Sequence, residues 1–98
     1  MSRSLIERRL TELGGRLKEL RKELAIIDEQ LAHLNGEADE AHLRALVSET
    51  PLADHEHREA QRHADAMSRH RDDVVATIAR LEADQDNLLD RLVAEQQS

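Results

Sequence analysis

From Ile6 onward the apolar residues of this chain recur in alternating steps of 4 and 3: Ile6, Leu10, Leu13, Leu17, Leu20, Leu24, Ile27, Leu31, Leu34, Ala38, Ala41 and Ala45. The beat runs for five and a half heptads without an error. A second series follows the same rule: Ala53, His57, Ala60, Ala64, Met67, Arg71, Val74, Ile78, Leu81, Gln85, Leu88 and Leu92. A strand would bury every second residue. A mean step of 3.5 instead keeps one stripe on one side of an α-helix and winds two such stripes together. The chain is therefore expected to be all-α, with two long coiled-coil helices. Three positions of the second stripe are polar (His57, Arg71 and Gln85), and they recur every 14 residues.

Between the stripes lies Ser48-Glu49-Thr50-Pro51, which holds the one proline. Thr50 suits an N-cap and Pro51 a first helical position, while Asp54 and Glu56 complement a positive helix N-terminus. Ser4 and Glu7 have the spacing of a capping box. These signals predict one domain over residues 1–98, with a first helix at about 4–47, a turn at about 48–50 and a second helix at about 51–95. A link this short forces the helices antiparallel. Seam residues whose numbers total 98 then face one another: Leu17 and Leu81, Leu31 and Met67, Ala45 and Ala53. In that register Arg16 approaches Asp84 and Arg44 approaches Glu56. The basic stretch 3–22 (seven Lys/Arg, three Glu) also lies along the acidic stretch 82–95 (five Asp/Glu, one Arg).

Two interruptions test this reading. Gly14-Gly15 and Asn35-Gly36 fall inside the first helix, where each glycine costs about 1 kcal/mol relative to alanine. Asn35-Gly36 has the chemistry to end a helix and leave 37–47 as a separate segment, but the heptad phase crosses it unbroken, which favours one helix with room to bend. The seam also changes from Leu and Ile near the chain ends to Ala near the turn. Alanine buries little apolar area, so the tip is expected to be thinner and less stable than the base.

Composition narrows the function. The 98 residues contain no Phe, Tyr, Trp or Cys and carry a net charge of -7. A helix pair offers no cavity in which to exclude water, and no nucleophile has a base and orienter beside it, so catalysis is not expected. An acidic balance without aromatics disfavours direct nucleic-acid binding. No apolar run approaches the ~20 residues that span a bilayer, and the charged N-terminus does not resemble a signal peptide, so a cytoplasmic protein without membrane contact is expected. His55, Glu59 and His63 share a helix face near His42, but HExxH, paired ExxH and cysteine ligands are all missing. A solvated face accounts for them, and neither metal nor cofactor is expected. His57 and Arg71 are read as polar seam residues that fix register, with the Arg71 stem lying on the seam and its head in water.

Two surfaces remain as candidates. Leu5, Ile26, Val75, Leu89 and Val93 lie off the seam toward the base, and a lone hairpin leaves them wet; a homodimer forming a four-helix bundle would cover them. At the tip, Leu46, Val47 and Leu52 gather with Glu49, Asp54 and Glu56, and Leu43 lies close by. This group is either a contact surface or self-packing that closes the turn.

A long antiparallel hairpin with acids at its tip resembles the N-terminal domain of Gre-type transcript-cleavage factors and the coiled coil of DksA-type regulators. The local likeness is Leu52-Ala53-Asp54-His55 against a Leu-Ser-Glu-Asn tip pattern, with Pro51 where the Gre family has a second acid. Neither the Gre C-terminal domain nor the DksA zinc-finger cysteines are present in the sequence. The resemblance implies insertion of the tip into the secondary channel of RNA polymerase, with Asp54 in the place of a magnesium-holding carboxylate. The expected function is thus a non-enzymatic interaction module that regulates a protein partner, RNA polymerase in this reading. The alternative is a structural or oligomerisation coiled coil with no partner at its tip.

Overall fold

The computed structural model describes residues 2–97. They form two helices, α1 (Arg3–Ser48) and α2 (Pro51–Gln97), packed against each other as an antiparallel hairpin. Two compact units are distinguished. One pairs α1 up to Glu23 with α2 from Val74 onward; the other comprises Leu24–Asp73 and includes the turn.

The heptad stripes are the core. Each of the 12 stripe positions in either helix is buried or half-buried, and every fully buried hydrophobic residue lies on a stripe. In the first unit these are Ile6, Leu17, Leu20, Val74, Ile78 and Leu88; in the second they are Ile27, Ala38, Ala41, Ala45, Ala53 and Ala64. Among the described residues no polar side chain is fully buried, so the seam carries no uncompensated desolvation. The change from Leu and Ile to Ala has an energetic meaning. A buried Leu or Ile contributes about 1.5–3 kcal/mol, whereas Ala brings only a methyl group.

The helix ends depart from expectation in two places. Ser2, not Ser4, caps α1: its Oγ accepts the Leu5 N–H (3.3 Å) and its carbonyl accepts the Ile6 N–H (3.0 Å). The Ser4–Glu7 capping box does not form, because α1 has already begun at Arg3 and the Glu7 carboxylate accepts from the Arg3 guanidinium at 2.9 Å. At the other end α2 continues to Gln97, beyond the expected stop at about 95.

The turn occupies Glu49 and Thr50. Glu49 takes a left-handed conformation (φ 52°), and its N–H donates to the Ala45 carbonyl at 3.0 Å, ending α1. The Thr50 Oγ1 accepts the Ala53 N–H at 3.2 Å and its carbonyl accepts the Asp54 N–H at 3.1 Å, so α2 starts with the expected cap and with Pro51 in its first position. Helix α1 runs unbroken through both glycine sites, and a methyl group added at Gly14, Gly15 or Gly36 would meet nothing within 4 Å.

Two substitutions follow from this backbone. Glu49→Gly removes the strain of a side chain at positive φ and should raise stability by about 1 kcal/mol. Gly36→Ala should add about as much through helix propensity. Urea unfolding followed by circular dichroism reads both. A loss of stability for Glu49→Gly would mean that its side chain makes a contact worth more than the strain.

Candidate functional site

The heptad letters locate everything off the seam. With Ile6 and Ala53 at d, the Arg21 and Glu82 side chains both fall at e, and they meet at 3.8 Å. Within the unit Leu24–Asp73, Asp28 at e accepts from Arg71 on the seam, and His42 at e meets His57, ring centroids 4.7 Å apart and tilted by 45°. In each unit the opposite flank carries the g and c positions. In the first unit Arg9, Arg16, Asp84 and Arg91 line an open groove of about 480 Å³ there; in the second, Glu37, Glu40, Arg44 and Glu56 line one of about 340 Å³. The expected pairs Arg16–Asp84 and Arg44–Glu56 therefore face each other across grooves rather than close into ion pairs.

Arg71 does what a polar seam residue is expected to do. Its stem occupies the stripe, half-buried, and its guanidinium reaches Asp28. The hydrogen bond to Asp28, and then its charge, raise the Arg71 pKa above the ordinary arginine value against a small desolvation cost. The group stays charged at every pH at which the helices persist. His57 is half-buried and exposed His42 lies against it. That contact went unread in the sequence, although the register gives it away: Ala41 opposes His57, and His42 is its neighbour.

At the tip, Leu43, Leu46, Val47 and Leu52 are 62%, 60%, 86% and 67% exposed, and the turn is held by the Thr50 cap and the Glu49 hydrogen bond. Glu49, Asp54 and Glu56 are exposed beside them. The cause is local. Ala45 and Ala53 hold the seam here, leaving the large apolar residues of the segment at the outer b, c and f positions.

At the base, Val75, Leu89 and Val93 are 39%, 44% and 51% exposed, and Ile26 is exposed too, whereas Leu5 is half-buried. Within the first unit these residues do not share a flank: Val75 and Leu89 lie at e and Val93 at the adjoining b, while Leu5 lies at c, on the groove side; Ile26, also a c position, belongs to the other unit. Of the histidine cluster, His55 and His63 are exposed, and the Glu59 carboxylate is engaged by Arg62. Among the described residues, no three His, Asp or Glu side chains come together in a way that could hold a metal ion. Nor, among these residues, is either helix apolar enough to cross a membrane.

Comparison with protein-family models, curated proteins and solved structures finds no match to this chain.

The seam position of Arg71 yields a prediction. Arg71→Leu exchanges a solvent-screened ion pair for apolar burial opposite Ile27. The urea midpoint should rise, and Asp28→Ala should then have no effect in the Arg71→Leu background. A fall in the midpoint would show that the Asp28 contact outweighs burial at this position.

Proposed function

We propose that this chain is a non-enzymatic coiled-coil interaction module, cytoplasmic in setting, that presents its turn to a protein partner. One observation carries the reading: four large apolar side chains stand 60–86% exposed around a two-residue turn, with Glu49, Asp54 and Glu56 among them. Water around so much apolar surface is a standing cost that a partner pocket removes. Both helices anchor the turn by defined caps, so the contact surface is presented without a large ordering penalty. In the polymerase form of the proposal, Leu46, Val47 and Leu52 make apolar contact in a channel while Asp54 and Glu56 supply charge. The likeness of Leu52-Ala53-Asp54-His55 to the Gre tip is its support.

A second reading rests on the exposure of Val75, Leu89 and Val93. In it the chain is a homodimer, and the base of the hairpin is an oligomerisation surface rather than bare support for the tip.

The tip proposal predicts a ranking. Val47→Asp with Leu52→Asp, or Asp54→Ala with Glu56→Ala, should abolish capture of the partner, while stability changes by no more than about 1 kcal/mol, because only exposed groups are altered. Leu17→Ala should instead cost about 2–4 kcal/mol through a cavity in the seam, with binding retained by the folded fraction. Purified RNA polymerase is the first partner to try, in competition with a secondary-channel factor. Tip variants that bind as well as wild type would overturn the tip as the contact surface, and a wild type that captures no partner would leave a structural coiled coil.

A further inference from the structure

One flank of the hairpin base combines features that the other lacks. Within the unit formed by α1 up to Glu23 and α2 from Val74, the e and adjoining b positions carry Val75, Leu89 and Val93, all substantially exposed. Around the Arg21–Glu82 level, charge on this flank is segregated by helix: Lys18 and Arg21 on α1, Glu82 and Asp86 on α2; Glu7, also at e on α1, lies two turns below Gly14 and is engaged by Arg3. Arg21 and Glu82 set the level, since their numbers total 103 and their side chains meet. Gly14 and Leu89 also total 103, so they stand at one level on opposite helices. Beside Gly14 there is open space out to 4 Å, and its φ is negative. No turn and no intramolecular close approach accounts for a residue that costs the helix about 1 kcal/mol.

We infer that this flank seats a second copy of the chain about a two-fold axis running along the hairpin base. That operation lays α1 of each copy over α2 of the other, antiparallel and at the same level. Each Leu89 then enters the gap at the partner's Gly14. Lys18 and Arg21 lie over the partner's Asp86 and Glu82, on the edge where those acids stand. The perpendicular two-fold would set α1 on α1 and α2 on α2, basic edge on basic edge and acidic on acidic. Like-charge opposition at close range disfavours it. The apolar residues thus identify the flank, and the charge pattern selects the axis. The assembly is an isologous four-helix bundle, in which a bulky side chain on one copy meets a glycine on the other.

This inference rests on the homodimer reading, and one set of sedimentation-equilibrium measurements on the full chain separates the two. Wild type should sediment in the micromolar range at twice its 11.2 kDa monomer mass. Leu89→Glu should weaken association at least about 100-fold, because a charge replaces an interface anchor. Gly14→Met should raise helix content yet weaken association roughly tenfold by filling the gap, whereas Gly15→Met, at the outward f position, should raise helix content alone. Lys18→Glu with Arg21→Glu should weaken the dimer, and adding Glu82→Lys with Asp86→Lys in the same chain should restore it. A wild type that stays monomeric overturns the homodimer reading and this inference together. A wild-type dimer indifferent to Leu89→Glu, Gly14→Met and the charge exchange leaves the homodimer standing and overturns this face and axis.

Discussion

Burial along a single seam is the constraint on which the rest of this molecule depends. With no aromatic residue and no cysteine, the chain has neither bulky core fillers nor a cross-link. Its fully buried hydrophobic residues all sit on the two stripes, and no described polar side chain is fully buried with them. A seam of this kind sets the azimuth of every other residue. Once Ile6 and Ala53 are placed at d, the contact of Arg21 with Glu82 follows on the e flank of one unit, and the reach of Arg71 to Asp28 and the meeting of His42 with His57 on the e flank of the other. In each unit a groove follows toward g and c.

The same constraint accounts for what is exposed. A seam made of alanine brings helices close and hides little, so leucines near the turn cannot be absorbed inward without breaking phase. Leu43, Leu46 and Leu52 lie outside it, and Val47 is the most exposed of the group. Exposure at the tip is thus a consequence of how the hairpin closes, and the exposed group is held on caps rather than on a flexible loop. Glu49 shows the strain in that closure. It is a non-glycine residue at positive φ in a two-residue connection, where a glycine would have been free of steric cost.

Much of this was legible in the sequence because period 3.5 is a long-range signal. One error in phase would have turned the later leucines to solvent, and none occurs, so helix count, turn position and seam membership could be read directly. Features that depend on one residue's choice among similar options were not legible. Ser2 and Ser4 are both competent N-caps, and the side chain that wins is decided by where the backbone starts to coil. A left-handed Glu49 carries no compositional mark, since glycine or asparagine is the usual sign of that conformation. At the tip, the residues were identifiable but their burial was not, because Leu and Val serve equally as closure or as contact. At the base, apolar composition grouped Leu5 and Ile26 with Val75, Leu89 and Val93, whereas heptad letters divide them between two flanks.

That division gives the base two chemically distinct sides. Toward the g and c positions, Arg9, Arg16 and Arg91 share a groove with Glu12 and Asp84, an arrangement that stays hydrated because three guanidinium groups cannot be neutralised there by two carboxylates. Toward e and b, the bases Lys18 and Arg21 stand on α1 and the acids Glu82 and Asp86 on α2, with valines, a leucine and a glycine beside them, while the one acid at e on α1, Glu7, is engaged by Arg3. A flank of the first kind resists burial by its own charge. A flank of the second kind has opposite signs on its two edges around Arg21 and Glu82, so a rotated copy of itself presents the complementary sign there. The heptad phase that makes the hairpin is therefore also what sorts its remaining surface into a side that stays wet and a side that can be covered.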